Sequence, residues 1–193
     1  MNIPKSDYSQ VSERLSVETI LVAGRLEPIN RPGWALAAFD RIQDPDFELQ
    51  IIGEGTLGGQ LLSEAAERGL TSKVEFTGWI NRHKLLNRMH AASILVHPAK
   101  FEMGGNVILE GLASGCGVVA SDTMGATTII NDGETGQLFH SARQDELAEK
   151  LSNLVEGGEY RRLGRNAQRM VEERHSMERV SDRYLDLAQR LTR

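Results

Sequence analysis

The sequence predicts a doubly wound, Rossmann-like α/β domain with about six parallel strands, helices on both faces of the sheet and a C-terminal helical tail. Short runs rich in Ile, Val and Leu recur along the chain, and helix-length segments with a period near 3.6 separate them. Several runs lack polar alternation, as strands buried on both faces do. After the last run, only helical patterns follow.

The apolar runs predict strands at residues 19–23, 47–52, 73–77, 93–97, 117–120 and 136–139. The first helix is predicted over residues 32–42, because Pro32 suits a first helical turn. The second helix should end at Gly69, Asn81 should cap the third, and residues 106–114 should form the fourth. Three stretches make up the helical tail, at residues 145–155, 160–173 and 177–191.

Length and charge limit the class of protein. The 193 residues suit one domain over residues 18–193, preceded by a linker or disordered segment at 1–17. The net charge of -5 excludes a nucleic-acid partner and allows at most a peripheral membrane contact. Cys116 is the only cysteine, and residues 1–18 lack the apolar stretch of a signal peptide. A reducing, cytoplasmic setting is therefore expected.

The glycines are concentrated where strands are predicted to end. Ligands of open parallel sheets bind outside the carboxyl ends of the strands. Any one of these loops could simply end a strand, but several on one edge favour a ligand site. The glycines at this edge are Gly24, Gly53, Gly55, Gly78, Gly104, Gly105 and Gly125.

The segment FEMGGNVILEGLASG predicts an anion site. Its paired glycines directly precede a helix, whose free N–H groups and positive dipole end suit a phosphate. Glu110 lies on a polar stripe of that helix and could accept hydrogen bonds from vicinal sugar hydroxyls, or from a nearby backbone N–H. Glu102 could face the far side of a bound phosphate or be a solvated loop residue. Arg25, directly after the first strand, could neutralise a diphosphate.

Several segments in the same order resemble a known family. VAGRLEPINRPGWALAAF, FELQIIGEGTLGGQLLSEAAERGLTSKVEFTGWI, the pair Glu102 and Glu110, and GVVASDTMGATTIINDGETGQLF are similar to the nucleotide-sugar-binding half of group 1 (family 4) retaining glycosyltransferases of the GT-B fold. The resemblance implies a catalytic Glu102 and a substrate-binding set of Gly24, Arg25, Asn30, Arg31, Glu54, Trp79, Ile80, Met103, Gly104, Gly105, Asn106, Val107 and Glu110.

Within that set, the resemblance assigns Arg25 to the diphosphate and the backbone near Trp79 and Ile80 to the base. It assigns Glu102 to the donor sugar and Glu110 to the ribose. The amides of Gly104, Gly105 and Asn106 would cradle the phosphates. No metal or other cofactor is implied, and the acidic DPD at residues 44–46 precedes the second strand, on the wrong edge for a metal site.

The chain also departs from the family pattern. Asn30 followed by Arg31 stands where the family has a lysine, and Glu102-Met103-Gly104-Gly105 replaces Glu-Gly-Phe-Gly. The N-terminal acceptor-binding lobe of the family has no counterpart in this sequence. His97, at the end of the fourth predicted strand, could lie under the donor sugar or be an ordinary strand-end residue.

The function predicted from the resemblance is that of a donor-binding domain of a retaining glycosyltransferase. It would bind a nucleotide sugar and be incomplete without its N-terminal lobe, so the chain alone should transfer poorly. A non-catalytic nucleotide-sugar-binding module and a nucleotide-sugar epimerase of the same architecture are the alternatives.

Overall fold

The computed structural model describes residues 17–42 and 44–174. The predicted tail helix at residues 177–191 and the linker at 1–17, apart from Val17, lie outside the described residues. The strands are β1 (Glu18–Ala23), β2 (Phe47–Ile52), β3 (Val74–Gly78), β4 (Ile94–His97), β5 (Gly117–Ser121) and β6 (Gln137–Phe139). The helices are α1 (Pro32–Phe39), α2 (Gly58–Glu67), α3 (Arg82–Ala91), α4 (Asn106–Ser114), α5 (Met124–Ile129), α6 (Gln144–Gly157) and α7 (Tyr160–Arg174).

The six strands form one parallel sheet in the order β3-β2-β1-β4-β5-β6. This confirms the predicted doubly wound sheet, and each strand lies within one residue of its predicted start and end. Residues 44–46 lie at the amino edge, where the carbonyl of Asp46 accepts from the N–H of Glu18 at 2.7 Å. The DPD segment is therefore on the edge opposite the strand exits.

Helices cover both faces because successive side chains of a strand point to opposite sides. In β1, Ile20 and Val22 belong to a core formed with α1, α2 and α6. Leu21 and Ala23 belong to a second core formed with α3, α4, α5 and α7. The central strands are thus apolar on both faces, which explains why their sequences lack polar alternation.

Local signals placed most helix ends correctly. The side chain of Asn81 accepts a hydrogen bond from the N–H of Lys84 at 2.9 Å, so it caps α3 as predicted. The helix α1 ends at Phe39, earlier than expected, and a turn follows in which Ile42 still packs against the core. The helix α5 was not predicted, because its six residues, MGATTI, are too few to show a helical period.

The loops after β1 and β2 support each other through their backbones. The N–H of Leu26 donates to the carbonyl of Glu54 at 2.8 Å, and the N–H of Leu57 donates to the carbonyl of Leu26 at 2.9 Å. Gly53 has φ 140°, and a Cβ atom added to it would lie 1.8 Å from the carbonyl oxygen of Gly24. Only glycine permits this contact, which fixes the exit of β1.

Replacing Gly53 by Ala should therefore lower the free energy of unfolding by about 2 kcal/mol or more, through overlap with the Gly24 carbonyl and a disfavoured φ. Urea unfolding measures the change. Gly59→Ala is the control, because a Cβ there meets nothing within 4 Å. This substitution should raise the free energy of unfolding by about 0.5 to 1 kcal/mol, because Ala favours helix α2 more than Gly does. Equal stability of the Gly53→Ala variant and the parent protein would contradict this account of the loop contact.

Candidate functional site

A crevice opens where the strand order reverses, between the carboxyl ends of β1 and β4. Such switch points are where ligands of open α/β sheets bind. The pocket there has a volume of about 180 Å³. Five of the predicted site residues line it: Gly24, Arg25, Asn30, Glu102 and Val107. His97 and Pro98 also line it, from the end of β4.

The cationic side of the pocket is formed by the loop after β1. The side-chain amide of Asn30 donates to the carbonyl of Arg25 at 2.7 Å, which closes this loop on itself. Arg25 is exposed, and within residues 17–42 and 44–174 its guanidinium forms no ion pair. It is therefore available to an anionic ligand.

Arg31 is directed elsewhere in this structure. It precedes α1 with φ 49° and does not line the pocket. Its guanidinium lies 4.2 Å from the ring centroid of Trp34 and donates to the carbonyl of Ser141. The cation that the sequence offered in place of the family lysine thus holds α1 against the loop after β6.

The paired glycines before α4 bind a carboxylate of the chain itself. Glu102 Oε1 accepts from the N–H of Gly104 at 2.8 Å and from the N–H of Gly105 at 3.0 Å. Gly105 has φ 61°, and a Cβ on it would lie 2.6 Å from Cδ1 of Ile129, so the turn requires glycine. Two of the three amides predicted to cradle phosphates are therefore occupied by Glu102 in the free protein.

Glu102 is ionised in this position. Its partial burial, the largest single influence, favours the neutral acid. The N–H groups of Gly105 and Gly104, the nearby His97 and the N–H of Met103 together outweigh burial and hold the pKa of Glu102 below its usual range. One carboxylate oxygen is fixed by backbone amides, while the other, Oε2, lies toward His97.

His97, which lines the pocket, is buried, with 8% of its surface exposed. Its Nε2 lies 3.7 Å from Oε2 of Glu102, which is beyond hydrogen-bonding distance. Nε2 is fully buried and makes no hydrogen bond to the part of the chain that the structure describes. Burial lowers the pKa of His97 more than the charge of Glu102 raises it, so the ring is neutral at neutral pH.

Glu110 faces a cation that the sequence analysis did not identify. Nη2 and Nε of Arg82 lie 2.8 Å and 2.9 Å from Oε1 of Glu110. The Glu110 side chain is 20% exposed, whereas that of Arg82 is 77% exposed. Arg82 lies 28 residues earlier, at the start of α3, and no spacing rule connects the two positions.

The remaining predicted residues lie along the same edge of the sheet. The N–H of Trp79 lies 3.4 Å from Oε1 of Glu54, and 71% of the Trp79 surface is exposed. Ile80 is half-buried against the core beneath α3 and α4. Met103 and Asn106, which flank the paired glycines, are exposed. The predicted residues thus lie near the carboxyl ends of the four neighbouring strands β3, β2, β1 and β4, and only some of them line the pocket.

Neither a reactive thiol nor a metal-binding cluster is present in the described part of the chain. The Cys116 thiol donates to the carbonyl of Met89, and burial raises its pKa to about 12, so it is a packed core thiol. No group of three or more His, Cys, Asp or Glu among the described residues could hold a metal ion. Nor does any described helix combine the length and apolar character needed to cross a membrane.

The fold and the crevice define the class of protein, which is a doubly wound α/β domain with a candidate ligand site at its switch point. The chain belongs to the glycosyl transferases group 1 family, which it matches over residues 6–170. It is 32% identical, over 128 residues, to an uncharacterized glycosyltransferase of Methanocaldococcus jannaschii. That match covers 66% of this chain and 36% of the relative, and the chain spans well under half the length of the curated relatives it matches.

Solved structures confirm the fold. HepE of Anabaena, solved with UDP and glucose, superposes with a TM-score of 0.77 and 22% identity, over 89% of this chain and 48% of HepE. The C-terminal domain of LpcC, a group 1 glycosyl transferase from Francisella tularensis, superposes with a TM-score of 0.75 and 22% identity, over 83% of this chain and 87% of that domain. The fold is therefore that of a C-terminal domain of a group 1 glycosyltransferase.

The buried imidazole of His97 predicts a pH dependence of stability. Because its pKa is lower in the folded than in the unfolded chain, the unfolded chain takes up the proton first as the pH falls below about 6.5. The free energy of unfolding should fall there, by at most about 1.4 kcal/mol per pH unit from this group, and be unaffected by it at higher pH.

Urea unfolding at about pH 7.5 and about pH 5.5 measures this loss, in a range where carboxylates stay ionised in both states. His97→Gln should reduce the loss, while the exposed His83→Gln should leave it as in the parent protein. The same pH dependence in the parent and in His97→Gln would show that His97 is not its source.

Proposed function

We propose that this chain is the donor-binding domain of a retaining glycosyltransferase whose donor is a nucleoside diphosphate sugar. The observation that carries the proposal is the crevice between β1 and β4. There an exposed arginine, the first turn of α4 and an ionised carboxylate line one small pocket. HepE, which shares the fold, was solved with UDP and glucose, and this supports a nucleotide sugar as the ligand.

The phosphates are assigned to Arg25 and the first turn of α4. The Arg25 guanidinium is unpaired within the described ranges, and a helix N-terminus carries free N–H groups and a partial positive charge. Val107, in that first turn, lines the same pocket as Arg25. Binding is therefore local, which is how a chain with net charge -5 can hold a diphosphate.

The donor sugar is assigned to Glu102. An ionised carboxylate is a hydrogen-bond acceptor only and suits hydroxyl donors, whereas it repels a phosphate. Because Oε1 is already held by Gly104 and Gly105, the oxygen left for a sugar hydroxyl is Oε2. The glycine turn then orients the sugar-binding group.

Transfer breaks the bond between the anomeric carbon of the sugar and the leaving phosphate oxygen. A nucleophilic atom of the acceptor bonds to that carbon and loses its proton, and negative charge builds on the departing diphosphate. Arg25 and the dipole of α4 stabilise that charge in this proposal, so no metal ion or other cofactor is required. The acceptor is assigned to an N-terminal lobe, and the domain alone should bind the donor but transfer poorly. The cytoplasmic setting stays a prediction from the sequence.

The ribose is assigned to Glu110, on the part of α4 that faces Arg82. Binding there requires Glu110 to accept hydroxyl donors in addition to the guanidinium or in exchange for it. A carboxylate has lone pairs for both roles, because each oxygen can accept about two hydrogen bonds.

Isothermal calorimetry with UDP, GDP and ADP tests the proposal. At least one of the three should bind, and Arg25→Gln should weaken it by roughly tenfold, as expected for a charged hydrogen bond. Arg88→Gln is a matched control, because Arg88 lies on α3 and faces Glu75 at 3.8 Å. Absence of heat with all three nucleotides would reject this function for the chain.

Glu110→Ala should weaken the nucleotide that binds by about tenfold, through loss of the ribose contact. The 2′-deoxy form of the same nucleotide should be less sensitive to the substitution, because it lacks one of the two hydroxyls. Glu48→Ala, at the one exposed position of β2, serves as the control. Unchanged affinity of Glu110→Ala would mean that Glu110 serves only to pair with Arg82.

A further inference from the structure

The buried Nε2 of His97 belongs to a pocket-lining residue but has no ligand group assigned to it. A buried polar atom without a hydrogen bond is destabilising, and native proteins keep few of them. Nε2 of His97 is such an atom with respect to the described ranges, and His97 is one of the residues that line the pocket. Such an atom beside a binding pocket is explained if it forms a hydrogen bond to the bound ligand.

The backbone holds His97 firmly in this position. His97 pairs with Ala120 in the ladder between β4 and β5, and Pro98 restricts it to an extended conformation. The hydroxyl of Ser121 donates to the carbonyl of Ala99, which secures the chain just beyond the strand. The ring is therefore placed by the sheet and its exit loop.

The distance between His97 and Glu102 suits a single bridging atom. Their facing atoms, Nε2 and Oε2, are 3.7 Å apart. An oxygen about 2.8 Å from each atom would satisfy both with ordinary hydrogen-bond lengths. The bridging group must both donate and accept, because ionised Glu102 only accepts and the Nε2–H tautomer of neutral His97 only donates at that atom.

That requirement selects a hydroxyl over a phosphate. A phosphate oxygen ionised at neutral pH has no proton to give to Glu102 and would be repelled by its charge. A hydroxyl group accepts from Nε2–H and donates to Oε2 in one geometry. Sugars differ in the positions of their hydroxyls. His97 and Glu102 therefore distinguish one sugar from another by whether a hydroxyl lies between them.

We propose that His97 is a positioning residue that, together with Glu102, holds one hydroxyl of the donor sugar and contributes to the choice of that sugar. The inference rests on the proposed function, because it presupposes a nucleotide sugar in the crevice. It goes further by separating sugar recognition, at His97 and Glu102, from diphosphate recognition at Arg25.

Calorimetry on the full chain tests the proposal with matched ligand pairs. The ligands are the nucleoside diphosphate that binds best and its glucose, galactose and N-acetylglucosamine conjugates. His97→Leu removes the N–H donor and keeps a side chain of similar bulk. It should weaken the tightest conjugate by about tenfold and leave the bare nucleotide within about twofold of the parent protein.

Four further measurements separate positioning from a structural role. His97→Gln retains an N–H donor and should recover part of the lost affinity, while His83→Leu, on the exposed face of α3, should change neither ligand. His97→Leu should unfold thermally at the same temperature as the parent or higher, since it removes a buried atom that has no hydrogen bond within residues 17–42 and 44–174. A conjugate lacking the held hydroxyl should bind the parent and His97→Leu equally.

The outcomes distinguish the two proposals. No nucleotide binding by the parent protein rejects the proposed function and this inference with it. Nucleotide binding with no extra affinity for any conjugate, or with an equal loss for nucleotide and conjugate in His97→Leu, overturns only the role of His97. Lower thermal stability of His97→Leu with unchanged conjugate affinity likewise overturns it, because His97 would then be structural.

Discussion

The parallel pairing of β1 with β4 is the contact on which the site depends. Ile20 and Leu21 of β1 pair with Ile94 and Leu95 of β4, although β2 and β3 lie between them in the sequence. The strand order reverses there, so the loops leaving the two strands diverge and a crevice opens between them. Arg25 reaches the crevice from one strand and His97 from the other. Without this pairing, the functional residues would share no pocket.

The free protein already pairs most of the charges that the site would offer a ligand. Glu102 is bound to the amides of the glycine turn, and Glu110 is paired with Arg82. A ligand that takes hydrogen bonds from these groups must share or exchange existing partners, so its net gain is smaller than the number of contacts suggests. Arg25 is the cation at the crevice that needs no such exchange within the described residues.

The loops at the carboxyl ends of the strands are closely packed and also carry the candidate ligand residues. Backbone contacts between the loops after β1 and β2 leave no space for a side chain at Gly53, and Gly105 is similarly confined beside α5. The same edge holds the imidazole of His97, whose buried Nε2 makes no hydrogen bond to the described residues and must be tolerated by the surrounding structure. Close packing therefore fixes the loops that carry the site, while a destabilising group is kept inside it, as is common where binding requires preorganised polar groups.

The sequence by itself determined the strands, the boundaries of α4, the cap at Asn81 and the edge on which the ligand residues lie. These follow from local patterns, because burial on two faces, helix capping and glycine turns act over a few residues. Only the tertiary structure decided the partners of the side chains: Arg82 on Glu110, Arg31 on Ser141, Glu102 on its own glycine amides and His97 opposite Glu102. Such contacts depend on how the sheet brings distant strands and loops together. They also depend on side-chain directions and on distances of a few ångströms, which no sequence periodicity encodes.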